Sequence, residues 1–145
     1  MRHLFSRLTI AKVRPKPKGY PLELKTVGNH IRRKRMDEGL SLNDVGDIIG
    51  VSDETLTSWA LHNRKPMIAQ YPGIIRFLGY DPLDTGGNSI KERLGRYKRA
   101  KGYSNKALSK MIGCDEATIT RLFENKRLFN RSFDKIDKFL REVSF

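Results

Sequence analysis

A single cysteine, Cys114, stands among 145 residues, so no disulfide can close within the chain. A reducing compartment is the expectation. Three histidines, His3, His30 and His62, are too scattered for a metal-ligand motif. No metal and no cofactor are expected. The chain also lacks a glycine-rich phosphate loop after a strand and any histidine or cysteine paired with carboxylates at a catalytic spacing. An enzyme is therefore not expected, and no small-molecule site is evident. Apolar runs fall short of the roughly 18 to 20 residues that span a membrane, and the start has no signal-peptide core. The expectation is a cytoplasmic protein without a membrane partner. Acids are scarce as well, with 16 Asp plus Glu against 29 Lys plus Arg and a net charge of +13. A surplus of that size points to a polyanion.

Residues 1–20 read as a basic N-terminal arm with six Lys or Arg and no acid. It is either a solvated tail or an arm that tracks phosphates or enters a minor groove, with Arg14, Lys16 and Lys18 as its phosphate contacts. Leu8, Ile10 and the run 11–13 fit a short strand, while Pro15, Pro17 and Gly19 break anything longer, including the amphipathic helix of a transit peptide. A helix is expected over Leu24 to Asp37, with Val27 and Ile31 one turn apart and the run Arg32 to Arg35 on its solvated side. Gly39 stops it. Ser41 and Asp44 form a capping pair for a helix to Ile49, with Val45, Ile48 and Ile49 on one side. Ser52 then caps a helix carrying Asp53 and Glu54 in its first turn and Leu56 and Trp59 at helical spacing. Pro72 opens a closing helix with Ile74, Phe77 and Leu78. Residues 81–88, DPLDTGGN, read as a linker.

The pattern then starts again. Ser89 with Glu92 makes a capping box, and Ile90, Leu94 and Tyr97 line the next helix. A shift of 63 positions lays Gly39, Ser41, Ile49, Gly50, Thr55, Thr57 and Arg64 on the identical Gly102, Ser104, Ile112, Gly113, Thr118, Thr120 and Arg127. Apolar positions follow, Val45 on Leu108, Ile48 on Met111, Val51 on Cys114 and Trp59 on Leu122; with a one-residue slip, Ile74 falls on Ile136. The chain is an internal duplication. Cys114 then reads as a small hydrophobe and Trp59 as a core anchor. The small Gly46 and Ser109 would let the following helix cross closely.

Two stretches, GLSLNDVGDIIGVSDETLTSWALHNRKP and GYSNKALSKMIGCDEATITRLFENKR, resemble the helix-turn-helix of the Cro/cI repressor-like (XRE) family. The resemblance implies an all-α fold of two small five-helix lambda-repressor-like bundles, at residues 21–80 and 89–145. It implies double-stranded DNA as partner, with each third helix in the major groove, and sequence-selective binding as a transcriptional regulator. Carried over by position, base contacts fall on Asp53, Glu54 and Ser58 in the first copy and on Glu116, Ala117 and Arg121 in the second. Phosphate contacts fall on Asn43, Thr57, Asn63, Arg64 and Lys65, and on Asn105, Lys106, Thr120, Lys126 and Arg127. The family often has glutamine where Leu42 and Asn105 stand, and glutamate where Ala60 and Phe123 stand. Leu42 cannot donate to a phosphate.

Charge separates the copies. Residues 1–20 carry +6, residues 21–87 carry −1 with eight bases and nine acids, and residues 88–145 carry +8 with fifteen bases and seven acids. The second copy is the better DNA reader, with Arg121 as its leading base contact. The near-neutral first copy, with an exposed Leu42 and an acidic third helix, leaves room for a protein partner or a second chain. The alternative is an antitoxin-like or RNA-associated adaptor whose basic parts bind nucleic acid without sequence preference.

Overall fold

Thr26 opens the first helix of the computed structural model, which describes residues 15–145. Its hydroxyl accepts from the Asn29 amide at 3.1 Å, and the Asn29 side chain accepts from the Thr26 amide at 3.2 Å. Helix α1 therefore runs Val27–Asp37 and leaves Leu24 outside. Then follow α2 (Leu42–Ile49), α3 (Asp53–Leu61), a 3-10 turn (Ile68–Gln70) and α4 (Tyr71–Leu78). The second half repeats the order as α5 (Ile90–Lys101), α6 (Asn105–Ile112), α7 (Glu116–Phe123) and α8 (Asn130–Glu142). The described residues are all helical, without a strand. They place four α-helices in each half, where five per bundle were expected. The expected strand at residues 8–13 lies outside them.

Caps and turns follow the sequence closely. Ser41 and Asp44 close a reciprocal box, each amide bonding the other's side chain at 3.0 Å. At Ser89 the box is incomplete. The Ser89 hydroxyl accepts from the Glu92 amide at 3.1 Å, but Glu92 takes the Ser89 and Thr85 hydroxyls instead of the Ser89 amide. Between α2 and α3, Gly50 turns the chain at φ 90°, and Gly113 does the same between α6 and α7 at φ 84°. A side chain is strained at these left-handed angles, which explains the glycine in both copies. Gly46 is small for a nearer reason than helix crossing: an added Cβ would meet the Val51 carbonyl at 2.5 Å.

Two hydrophobic clusters form the cores. Val27, Ile31, Val45, Ile49, Leu56, Trp59, Tyr71, Ile74, Phe77 and Leu78 make the first. Leu94, Tyr97, Leu108, Ile119, Leu122, Ile136 and Leu140 make the second. Trp59 is an anchor, 4% exposed, and Cys114 packs half-buried against the second cluster, where burial raises its thiol pKa. Ile48 and Met111 depart from the expected pattern, at 40% and 45% exposed. On these two-turn helices the core faces positions 45, 46 and 49 in one copy and 108, 109 and the partly buried 112 in the other, so positions 48 and 111 turn outward.

The linker does not hang free. Asp81 pairs with Arg99 at 2.7 Å and Asp84 with Arg96 at 3.1 Å, so acids three apart meet bases three apart on α5. Arg96 also donates to the Gly87 carbonyl at 2.6 Å. Helix α4 and the 3-10 turn pack against α5, and Gly102 lies where an added Cβ would be 3.0 Å from Pro72 and 3.4 Å from Ala69.

The contacts of Asp84 and Glu92 are acid-sensitive. The Gly86 amide, then Arg96, holds the Asp84 carboxyl below its ordinary range, and the Thr85 and Ser89 hydroxyls do so for Glu92. A carboxylate whose pKa is lowered by folding stabilises the fold above its ordinary range and stops doing so once pH falls through the folded value. Thermal melts should therefore show a falling Tm from about pH 5 to pH 3, with a shallower slope in Asp84→Asn. Equal slopes in the two proteins would remove Asp84 from this role.

Candidate nucleic-acid interface

Helix α7 starts at Glu116, after Asp115 at its cap, and presents Glu116, Ala117 and Arg121 to solvent. Ile119 and Leu122 bury the opposite face. Arg121 is tethered: its Nη2 donates to the Arg127 carbonyl at 2.9 Å, and the Lys126 amide donates to the Arg121 carbonyl at 2.9 Å. Arg121 and the basic loop after α7 therefore form one patch. Lys126 is exposed and pairs with Glu124 at 2.9 Å, a solvated contact that a phosphate could replace cheaply.

Behind this patch runs a polar seam. Asn105, the first residue of α6, reaches Thr120 of α7 with its Nδ2 at 3.5 Å and accepts from Lys98 of α5 with its Oδ1. The Lys98 ammonium also lies 4.9 Å from the centre of the Phe123 ring. Burial, and then the neighbouring Arg99, hold Lys98 below the usual lysine range. Three helices are thus tied together at the foot of α7, with Lys106 exposed one residue further along α6. Sequence reading placed Asn105 and Thr120 in the site but missed Lys98. Its clue was a lysine on the same helix as Leu94 and Tyr97, with no solvated acid beside it.

The first copy is built differently at equivalent places. Asp53 turns onto its own helix, its Oδ1 accepting from the Glu54 amide at 2.8 Å, and the Thr57 hydroxyl donates to the Asp53 carbonyl at 2.9 Å. Glu54 is exposed, Ser58 half-buried and Asn43 exposed. Leu42 is not the exposed residue expected for a protein contact; it packs against the first core. The reason is its neighbourhood: Ile31, Leu56 and Ala60 border the hollow that Leu42 lines, so an aliphatic side chain has somewhere to go. Asn63 bends the loop after α3 at φ 53°, as Asn125 does after α7 at φ 61°, and Arg64 and Lys65 follow it exposed.

The basic run on α1 is occupied within the chain. Arg32 donates to the Gly19 carbonyl at 2.7 Å, Arg33 to those of Pro21 and Leu22 at 3.0 and 2.6 Å, Lys34 to Leu78 at 3.4 Å and Arg35 to Leu40 at 2.9 Å. Tyr20 adds a hydroxyl bond to Asp37 at 2.7 Å. These bonds strap residues 19–22 along α1, which the sequence had suggested as a solvated face. Of the arm cations, Lys16 lies 4.8 Å from the Tyr20 ring centre, Lys18 is exposed, and Arg14 lies outside the described residues.

Exposed Lys106, Lys126 and Arg127 supply point charges and a guanidinium fork suited to phosphates, and Arg121 a second fork suited to the two acceptors of a guanine edge. Among the described residues no helix is long and apolar enough to cross a membrane. No protein-family model, curated protein or solved structure matches the chain.

Proposed function

We propose that the chain is a sequence-selective double-stranded DNA-binding protein, a transcriptional regulator made of two tandem helix-turn-helix units related to the Cro/cI repressor-like family. The second unit is the main reader. One observation carries the reading: the same helix, left-handed glycine and following helix occur twice, and only the second occurrence joins an exposed arginine on the last helix to a basic loop. A helix of two to three turns held from behind at Thr120 suits insertion in a major groove about 12 Å wide. Phosphates along the groove would be met by Lys106, Lys126 and Arg127, with Thr120 and Asn105 supporting α7 from the side. Four helices per unit depart from the five of the family pattern, but each unit retains a closed core behind its paired helices.

The test is selection of bound duplexes from a random pool by the full chain, followed by salt titration on the winners. An enriched motif is expected, with log affinity falling against log salt at a slope of about −5 for roughly six phosphates. Binding without an enriched motif would favour the non-selective adaptor instead.

A further inference from the structure

The acidic α3 is a poor fit to a polyanion, yet the loop that follows it is basic and is placed beside the other unit. Pro66, Ile68 and Tyr71 of the first unit share a cleft of about 290 Å³ with Gly95, Lys98, Arg99 and Phe123 of the second. Lys98 and Phe123 belong to the seam that holds Asn105 and Thr120. Pro72 and Ala69 close on Gly102, two residues before the Ser104 cap of α6. The contact is fastened by Asp81 and Arg99, whose side chains are 13% and 17% exposed. So the segment directly after Arg64 and Lys65 is seated against the helix ends that flank the second unit's phosphate-binding residues, while Arg64 and Lys65 stay exposed.

We propose that the first unit serves the DNA surface of the second: its α3 does not read bases, and Arg64 and Lys65 extend the phosphate track of Lys106 and Lys126 across the joint. This rests on the DNA-binding reading above. The physical grounds are charge and rigidity. Asp53 and Glu54 leave α3 with two acids and no base, whereas Arg121 offsets Glu116 on α7. The loop cations have no acid on their own stretch from 62 to 66, and an ion pair largely withdrawn from water fixes residue 81 on α5, against which the 3-10 turn and α4 that follow the loop are packed. A preset loop loses less entropy on binding than one on a free tether.

The experiment uses the full chain and a selected duplex. Arg64→Ala with Lys65→Ala should weaken binding on the order of tenfold near 100 mM salt and shrink the salt slope by about 1.8, with base preference unchanged. Asp53→Asn with Glu54→Gln should leave base preference unchanged. In an Arg99→Asp background the loop substitutions should cost less than about twofold, because the loop is no longer held, and the swap Asp81→Arg with Arg99→Asp should restore their full effect. If Arg99→Asp fails to fold, Arg99→Met tests the same coupling, since methionine stands at the equivalent Met36 of α1. An unaltered affinity and slope in the loop variant, a loop effect undiminished in the Arg99 variants, or a changed base preference in the Asp53 and Glu54 variant would each overturn the proposal. Failure of the unaltered chain to select any duplex would instead overturn the DNA-binding reading itself.

Discussion

Gly28→Ala is expected to destabilise the first half by about 3 kcal/mol, the upper end of the range for overpacking a tight contact. An added Cβ would sit 2.0 Å from the Trp59 carbonyl oxygen and 2.5 Å from its carbon, both backbone atoms of α3. No rotamer change relieves a clash with backbone, so α1 and α3 must separate, and the buried Trp59 loses its fit on the way. The duplication supplies its own control. Lys91 occupies the equivalent place in α5 and bonds the Asn125 side chain at 2.8 Å, beside a cleft of about 600 Å³ that also borders Leu122. Lys91→Ala is therefore expected to change stability by less than about 0.5 kcal/mol. Denaturant titrations of the two variants measure the contrast; equal costs would mean that the close approach of α1 to α3 is not what Gly28 permits.

Ile119→Ala should cost about 3 to 4 kcal/mol, in the range for a buried isoleucine cut to alanine with a cavity left behind. Its side chain is fully buried in the second core, on the face of α7 opposite Arg121. A unit of about 60 residues has little stability to spare. Thermal melts should show the Tm of the second half lowered by about 12 °C or more, and DNA binding should weaken although no predicted DNA contact has been touched. A drop in Tm below about 3 °C would mean that the core relaxes around the gap. Were binding unaltered at a temperature where the second half has melted, α7 would not be the binding element.

Much of this fold can be read from local sequence because its signals are local. Caps at Ser41, Ser52 and Ser104 and stops at Gly50, Gly102 and Gly113 depend on residues within one turn, and those elements sit where spacing puts them. The repeat supplied long-range information, since matching apolar positions in two copies marks a shared core; Leu94, Leu108, Ile119 and Ile136 are all fully buried. What escaped were choices made by partners distant in sequence. Arg32 to Arg35 look like a solvated run until residues 19–22 lie across them. Leu42 looks exposed until the hollow beside Ile31 and Leu56 is seen. DPLDTGGN looks like a flexible tether, although its two acids and the bases Arg96 and Arg99 share a three-residue spacing that sequence alone could have matched. For the candidate interface the residue types and their two groupings were legible, while the bond from Arg121 to the Arg127 carbonyl and the place of Lys98 behind Asn105 required the fold.

The reading of α7 as a base-contacting helix stands or falls with Arg121. Parallel selections from one random duplex pool, with the unaltered chain and with Arg121→Ala, report its role position by position. Loss of preference at one base pair, worth about 1 to 3 kcal/mol there and with the rest of the motif retained, is the predicted result. An identical motif in both selections, or an equal weakening on every sequence, would contradict it.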